Sequence, residues 1–256
     1  MERSALPCVA GIAAFLAFTG DVMLLTFLGW TEAAGADLGI HRLHVMAIGA
    51  YLAAAFLVLL STLWRPVARP AGVVSFVPGV VFLSLAVFAG PASQGDPVPF
   101  LAIAALLAVF HPAGRRIFRR SESYSPALLA LVAVAAVPVI AYVVHEATLQ
   151  LALGDVHALD AHYGLMAATG GFVLVNGLLA ALGVPGWRPL AWIGGGLMAF
   201  LGVMSVTFPA QASSVGTTWG MLAIGWAVAF VAAAELSRSR GASGVLRREL
   251  PGARPS

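Results

Sequence analysis

The chain has 256 residues, 60% of them hydrophobic and 10% charged, with a mean hydropathy of +0.93 and a formal net charge of +3. A soluble domain is about one quarter charged, so a water-soluble globule is excluded. The basic residues are 14 arginines with no lysine, placed between apolar stretches as topological anchors, which gives no sign of a nucleic-acid partner.

Crossing the hydrocarbon takes about 20 apolar residues. Eight stretches fit, near 8–29, 40–63, 71–90, 97–112, 125–145, 161–183, 189–208 and 217–237. Backbone groups in lipid must pair internally, so all eight are predicted helices. The first is long and lacks a clear small-x-small cleavage site, so it reads as a retained helix rather than a signal peptide. It carries Asp21 roughly 12 Å below its outer end, at 1.5 Å per residue. A carboxylate at that depth is costly, so Asp21 is expected to face the bundle interior or a wet cavity, as a proton carrier or polar anchor. The second stretch opens on His41-Arg42-Leu43-His44. The third holds Pro78 and the fifth Pro138, both expected to kink their helices. The fourth is short and starts at Pro97 and Pro99, residues suited to a first helical turn. The sixth opens on His162 and contains Asn176, expected to make an interhelical hydrogen bond. The sixth and seventh are rich in glycine (Gly170, Gly171, Gly177, Gly194 to Gly196), which lets helix backbones approach closely. After Ser237 the chain is rich in Gly, Ser, Arg and Pro and is expected to be disordered, with arginine pairs suited to anionic lipid.

Charge sets the expected orientation. Thirteen of the 14 arginines lie at Arg3, at Arg65 and Arg69, from Arg115 to Arg120, at Arg188 and from Arg238 to Arg254. The alternate connections carry Glu32 and Asp37, Asp96, and Glu146, Asp155 and Asp160 instead. Positive charge stays on the cytoplasmic side. Both termini are therefore expected to be cytoplasmic, in the cell membrane, with segment 146–160 outside.

The chain also reads as a duplication. A shift of 121 superimposes His41 on His162, Ala47 on Ala168, Gly49 on Gly170 and Tyr51 on Phe172. After a two-residue gap, Trp64-Arg65-Pro66 falls on Trp187-Arg188-Pro189 and Gly79-Val80 on Gly202-Val203. The expected fold is thus an all-α integral membrane protein of two parallel four-helix repeats, related by an axis along the membrane normal. Residues 1–120 form the first repeat with its cytoplasmic linker, 121–237 the second, and 238–256 the tail.

Five of the six histidines, His41, His44, His145, His157 and His162, lie at the outer ends of stretches; His111 lies at the cytoplasmic end of the fourth. His41 and His44 are spaced i, i+3 and share a helix face. Imidazole is the commonest protein ligand for zinc, copper and haem iron, and carboxylates hold such rings in one tautomer. The candidate metal ligands are His41, His44, His145, Glu146 and His162; His157 and Asp155 read as facing water. Arg42 is the one arginine on the outer side, and calls for a partner: Glu32, Asp37 or an anionic ligand group such as a haem propionate. With one cysteine, Cys8, there is neither an internal disulfide nor a thiolate cluster. The absence of lysine excludes a retinal Schiff base, and Gly-x-x-x-x-Gly-Lys, Cys-x-x-Cys-His and His-Glu-x-x-His are all missing. The chain is therefore not an ATPase by itself, a c-type haem carrier or a zincin-type protease.

The His41-Arg42 element resembles that of the haem A synthases, eight-helix proteins of two four-helix halves with a His-Arg pair at the outer start of helix two. The resemblance covers the architecture and residues 41–49. It implies that His41 and His162 are axial haem ligands, each in its own half, with Arg42 beside the cofactor. The family's further ligand histidines, in helices four and eight, have no counterpart here, since His111 stands at the opposite end of its stretch. The family's acid just before the His-Arg pair is also missing, Asp37 being the nearest. A histidine followed by small residues along a helix is also similar to the nitric-oxide-response membrane proteins.

The expected function is an outer-facing His/carboxylate site for haem or a transition metal, in redox chemistry or cofactor handling, with a respiratory membrane complex as the candidate partner. Two alternatives stand. One is a proton- or cation-coupled transporter using Asp21 and the outer acids; the other is a non-catalytic membrane accessory subunit. The sequence names no substrate or reaction.

Overall fold

The computed structural model describes residues 6–30, 35–63, 70–88, 98–112 and 124–248. Among them the chain is helical, with no strand: α1 (Leu6–Leu28), α2 (Gly35–Leu63), α3 (Ala71–Phe88), α4 (Val98–Phe110), α5 (Pro126–Ala152), α6 (Val156–Leu159), α7 (His162–Ala181), α8 (Arg188–Thr207) and α9 (Gly216–Arg248). Arg65, Arg69, the arginines from Arg115 to Arg120, Glu32, Asp96 and the triplet at 64–66 lie outside the described residues.

Six helices, α1, α2, α5, α7, α8 and α9, are long and apolar enough to cross a membrane. The other two apolar helices are shorter than the eight-span expectation requires. α4 has 13 residues, roughly 20 Å at 1.5 Å per residue, against hydrocarbon about 30 Å thick. α5 also departs from expectation: it continues through Glu146 and Gln150 to Ala152. Those two polar residues are buried on the same face as Leu128, Val132, Ala135 and Val139, so the helix gains by extending. Pro126 in its first turn, and Ser125 accepting a hydrogen bond from the Leu128 amide, set its start. α9 likewise runs to Arg248, past Ser237, where the tail was expected to begin.

The packing follows a simple pattern. In the first half α1 packs on α2, α2 on α3, α3 on α4, and α4 back on α1. In the second half α5 packs on α7, α7 on α8, α8 on α9, and α9 on α5. The halves meet through α2 with α7, α2 with α8, and α3 with α7. His41 on α2 faces His162 on α7, and ten residues further along both helices Tyr51 faces Phe172, ring centroids 5.1 Å apart. Contacts in the same order along both helices mean that α2 and α7 run side by side in the same direction.

Small residues set the closest approaches. A Cβ on Gly49 would press on Thr26 and lie 2.7 Å from the Val22 carbonyl oxygen of α1, and one on Gly170 would lie 2.8 Å from Val143 of α5. Gly202 and Gly220 face each other: a Cβ on either would lie within 2.8 Å of the other's carbonyl oxygen. These are the small-residue contacts that dispersion needs where lipid removes the hydrophobic drive between helices. Two buried polar pairs link helices. The Tyr51 hydroxyl donates to the Gly79 carbonyl at 2.6 Å, and Ser75 donates to the Asn176 side-chain oxygen at 2.9 Å. At the other end of the bundle from the histidines, Glu235 accepts from Arg188 at 2.8 and 3.1 Å and from Trp192 at 2.7 Å.

Candidate metal centre

Three elements bring four imidazoles together. His41 and His44 stand one turn apart on α2, His157 on α6, and His162 at the first position of α7. Polar side chains hold the second and third elements in place. Asp155 caps α6 by accepting from the Ala158 amide at 2.9 Å. Gln150 donates to the Ala158 carbonyl at 2.7 Å and accepts from the Gly164 amide at 2.9 Å, which clamps the end of α5 to α6 and α7. Ala161 turns the chain from α6 into α7 with a left-handed φ of 59°. Asp155 also accepts from the Tyr163 hydroxyl at 3.0 Å. Burial works against its charge, but these two hydrogen bonds and the nearby His157 outweigh it and hold the carboxyl below its ordinary range.

The rings are in contact. Centroid separations are 4.7 Å for His41 and His157, 4.8 Å for His41 and His162, 4.8 Å for His44 and His157, and 5.1 Å for His44 stacked on His162. The Nδ1 atoms of His41 and His162 are 3.1 Å apart. Two nitrogens bound at 2.0–2.1 Å to one tetrahedral ion lie about 3.3 Å apart, so this spacing is close to that of one edge of such a site. Ligand atoms of His41, His44 and His157 lie within 4.8 Å of one another, as do those of His41, Asp160 and His162.

Behind His44 runs a relay. Its Nε2 lies 2.8 Å from the Ser213 oxygen, and the Ser213 hydroxyl donates to Glu146 at 2.6 Å. His44 and Glu146 are both fully buried. The serine has one proton, and gives it to the carboxylate. With Glu146 ionised, His44 donates from Nε2, which leaves the lone pair on Nδ1. That Nδ1 is buried with no hydrogen-bond partner among the described residues. An orphaned buried acceptor costs about 1–3 kcal/mol, and a bound ion would satisfy it. Carboxylate and hydroxyl partners that orient a ligating imidazole are the usual outer shell of a metal site. Ser213 itself has a φ of 63°. The only two described non-glycine residues with positive φ, Ala161 and Ser213, thus both border this cluster, as stored strain at functional sites does.

The candidates from the sequence divide. His41, His44 and His162 converge, and Glu146 joins through Ser213 rather than as a direct neighbour of the rings. His145 does not join: one position along a helix is a 100° turn, so with Glu146 buried His145 is exposed. Arg42 is half-buried, with its guanidinium carbon 5.2 Å from the Phe208 ring centre; its expected partner Glu32 lies outside the described residues. The side chain of Asp37 lies outside what is described. Asp21 is exposed, not turned into the bundle. The buried face of α1 runs through Cys8, Ile12, Phe15 and Thr19, and Asp21 falls outside it. His157, read as facing water, is in the cluster; the N-cap pattern of Asp155 was the signal that a short helix would present it. Ser213 left no signal in its loop sequence.

Haem does not fit this geometry. Axial ligands stand on opposite faces of the iron, with nitrogens about 4 Å apart and the macrocycle between them. Here His41 and His162 are in direct contact, and His44 and His157 pack against both sides of that pair. With these two rings in contact, no macrocycle has room between them. Comparison of the chain with protein-family models, curated proteins and solved structures finds no match.

Proposed function

We propose that this chain is a multi-pass protein of the cell membrane that binds one transition-metal ion, zinc or copper, at its outer surface. The ligands are drawn from His41, His44, His157 and His162, with Asp160 at the rim. The observation that carries the reading is the His44 imidazole, buried, held at Nε2 by Ser213 and Glu146, unpartnered at Nδ1, and packed against the His157 and His162 rings. Imidazole suits both zinc and copper, and the lack of thiolate leaves no softer alternative. The ion serves cofactor handling or redox chemistry at the membrane.

The same proposal covers the architecture. Eight helices cross or enter the membrane as two parallel repeats, α1–α4 and α5–α9 with α6 inserted, and both termini are cytoplasmic. The matching ring of contacts in each half supports it, and so do the two touching pairs of counterparts, His41 with His162 and Tyr51 with Phe172. Counterparts touch only at the axis relating them, so two such pairs ten residues apart support an axis running along α2 and α7.

Metal analysis of the purified, metal-loaded protein tests the site. One ion per chain is expected, with no haem absorbance, and the double variant His41→Ala, His162→Ala should hold none. Equal metal content in wild type and double variant would overturn the proposal.

A further inference from the structure

Asp21 stands on the outward face of α1, and nothing in the metal site uses it. Its depth follows from the packing. Gly49 lies against Val22 and Thr26 of α1, and Gly49 is eight residues, roughly 12 Å, along α2 from His41. Asp21 is therefore deeper in the bundle than the histidines by more than two helical turns. Its neighbours on the same face are Phe18, Leu24 and Leu28, with exposures of 60%, 60% and 50%. Among the described residues α1 packs mainly on α2 and α4, so no described helix covers this stripe, and in a membrane it would face lipid. No hydrogen bond or ion pair to Asp21 is formed by the described residues.

A carboxylate does not stay in hydrocarbon alone: intramembrane acids face a partner, a bundle interior or water. A second copy of this chain offers no cation at that depth. It has no lysine, and within the eight apolar stretches its only arginine, Arg42, stands at a stretch end. We infer that the outward face of α1 is an interaction surface for a transmembrane helix of another protein, one that carries a basic side chain at mid-membrane depth to pair with Asp21. The apolar residues around Asp21 supply the packing, and the ion pair supplies register and choice of partner.

The test uses the full chain in lipid vesicles, donor-labelled on the C-terminal tail. The probes are two acceptor-labelled leucine-alanine transmembrane peptides, one with a single central lysine and one with leucine there. Energy transfer to the lysine peptide is expected at a peptide-to-lipid ratio at least tenfold lower than to the leucine peptide. In Asp21→Leu that difference should vanish, and in Asp21→Asn it should shrink. Because Asp21 faces outward, both variants should keep the helix content and metal content of the wild type, which separates this outcome from a folding defect. Equal transfer to both peptides, or no transfer to either, would overturn the inference. So would Asp21-dependent transfer between two labelled copies of the chain itself, which would assign the face to self-association.

Discussion

The two halves of the molecule contribute unequally to the same cluster. The first supplies His41 and His44 from one helix. The second supplies His162 from the matching helix and then everything that orients the set: Glu146, Gln150, the Asp155-capped helix α6 with His157, and Ser213. At the shift of 121 that aligns His41 with His162, Glu146 falls on Leu25, so the first half has no carboxylate there. Similar scaffolds thus separate two tasks. Matching positions bring His41 and His162 into contact, and unmatched positions hold Nε2 of His44.

Four measurements sharpen that contrast. Loss of either member of the matched pair should be the largest effect. His41→Ala and His162→Ala are each expected to weaken metal binding on the order of 100-fold or more, and to similar extents, in a competition titration with a metal chelator. A loss confined to one of them would mean that the ion sits wholly in one half.

The unmatched relay comes next. Ser213→Ala frees His44 to adopt either tautomer, and should weaken binding by roughly 10–100-fold without removing a ligand. Glu146→Gln should fall in the same range. If both variants bound metal like the wild type, the relay would be structural packing only.

The helix contacts below the site should respond alike in both halves. Gly49→Val and Gly170→Val each force a side chain into occupied space against α1 or α5. Overpacking of this kind costs about 1–3 kcal/mol, read as a lower Tm in detergent. A large effect in one half alone would break the correspondence between α1 with α2 and α5 with α7.

The smallest effect belongs to the cap of α6. Asp155→Ala should cost about 1 kcal/mol, the usual value of an N-cap. The Asp155 carboxyl is held below its ordinary range, so its contribution is present above the unfolded value of about 4. It should be lost as pH falls through the lower folded value. The Tm gap between metal-free wild type and Asp155→Ala should hardly change from neutral pH down to about 4, then close in stronger acid. A gap that closed well above that pH would assign the effect to another group.

Most of the helical framework was legible because lipid leaves the chain little choice: an apolar run of sufficient length must close its own hydrogen bonds. The ends were less legible. α5 outruns its apolar stretch because Glu146 and Gln150 are buried by tertiary contacts that hydropathy does not record. The internal shift singled out His41 and His162 as a pair without deciding whether they would touch, and His44 was marked by its spacing to His41. His145 and Glu146 looked equivalent as neighbours, yet the phase of one helix separates them. Asp21 failed for the same reason: depth can be counted along a helix, but its facing depends on which residues the neighbouring helices cover. His157 and Ser213 lie in connections between spans, where no periodicity reports what they will meet.

If the two halves are the repeats proposed above, residues that touch their own counterparts constrain how such a chain arises. In a half-length chain pairing with a second copy of itself, one codon would write both imidazoles of the His41–His162 contact, and every change would be made twice. Joining two copies in a single gene lifts that restriction. Glu146 can then stand opposite Leu25, and α6 can be inserted between one pair of helices and not the other. A relay that reaches the cluster from one side only is a feature that a symmetric pair of identical chains cannot hold in both copies without changing the whole site, whereas a fused chain acquires it by single steps.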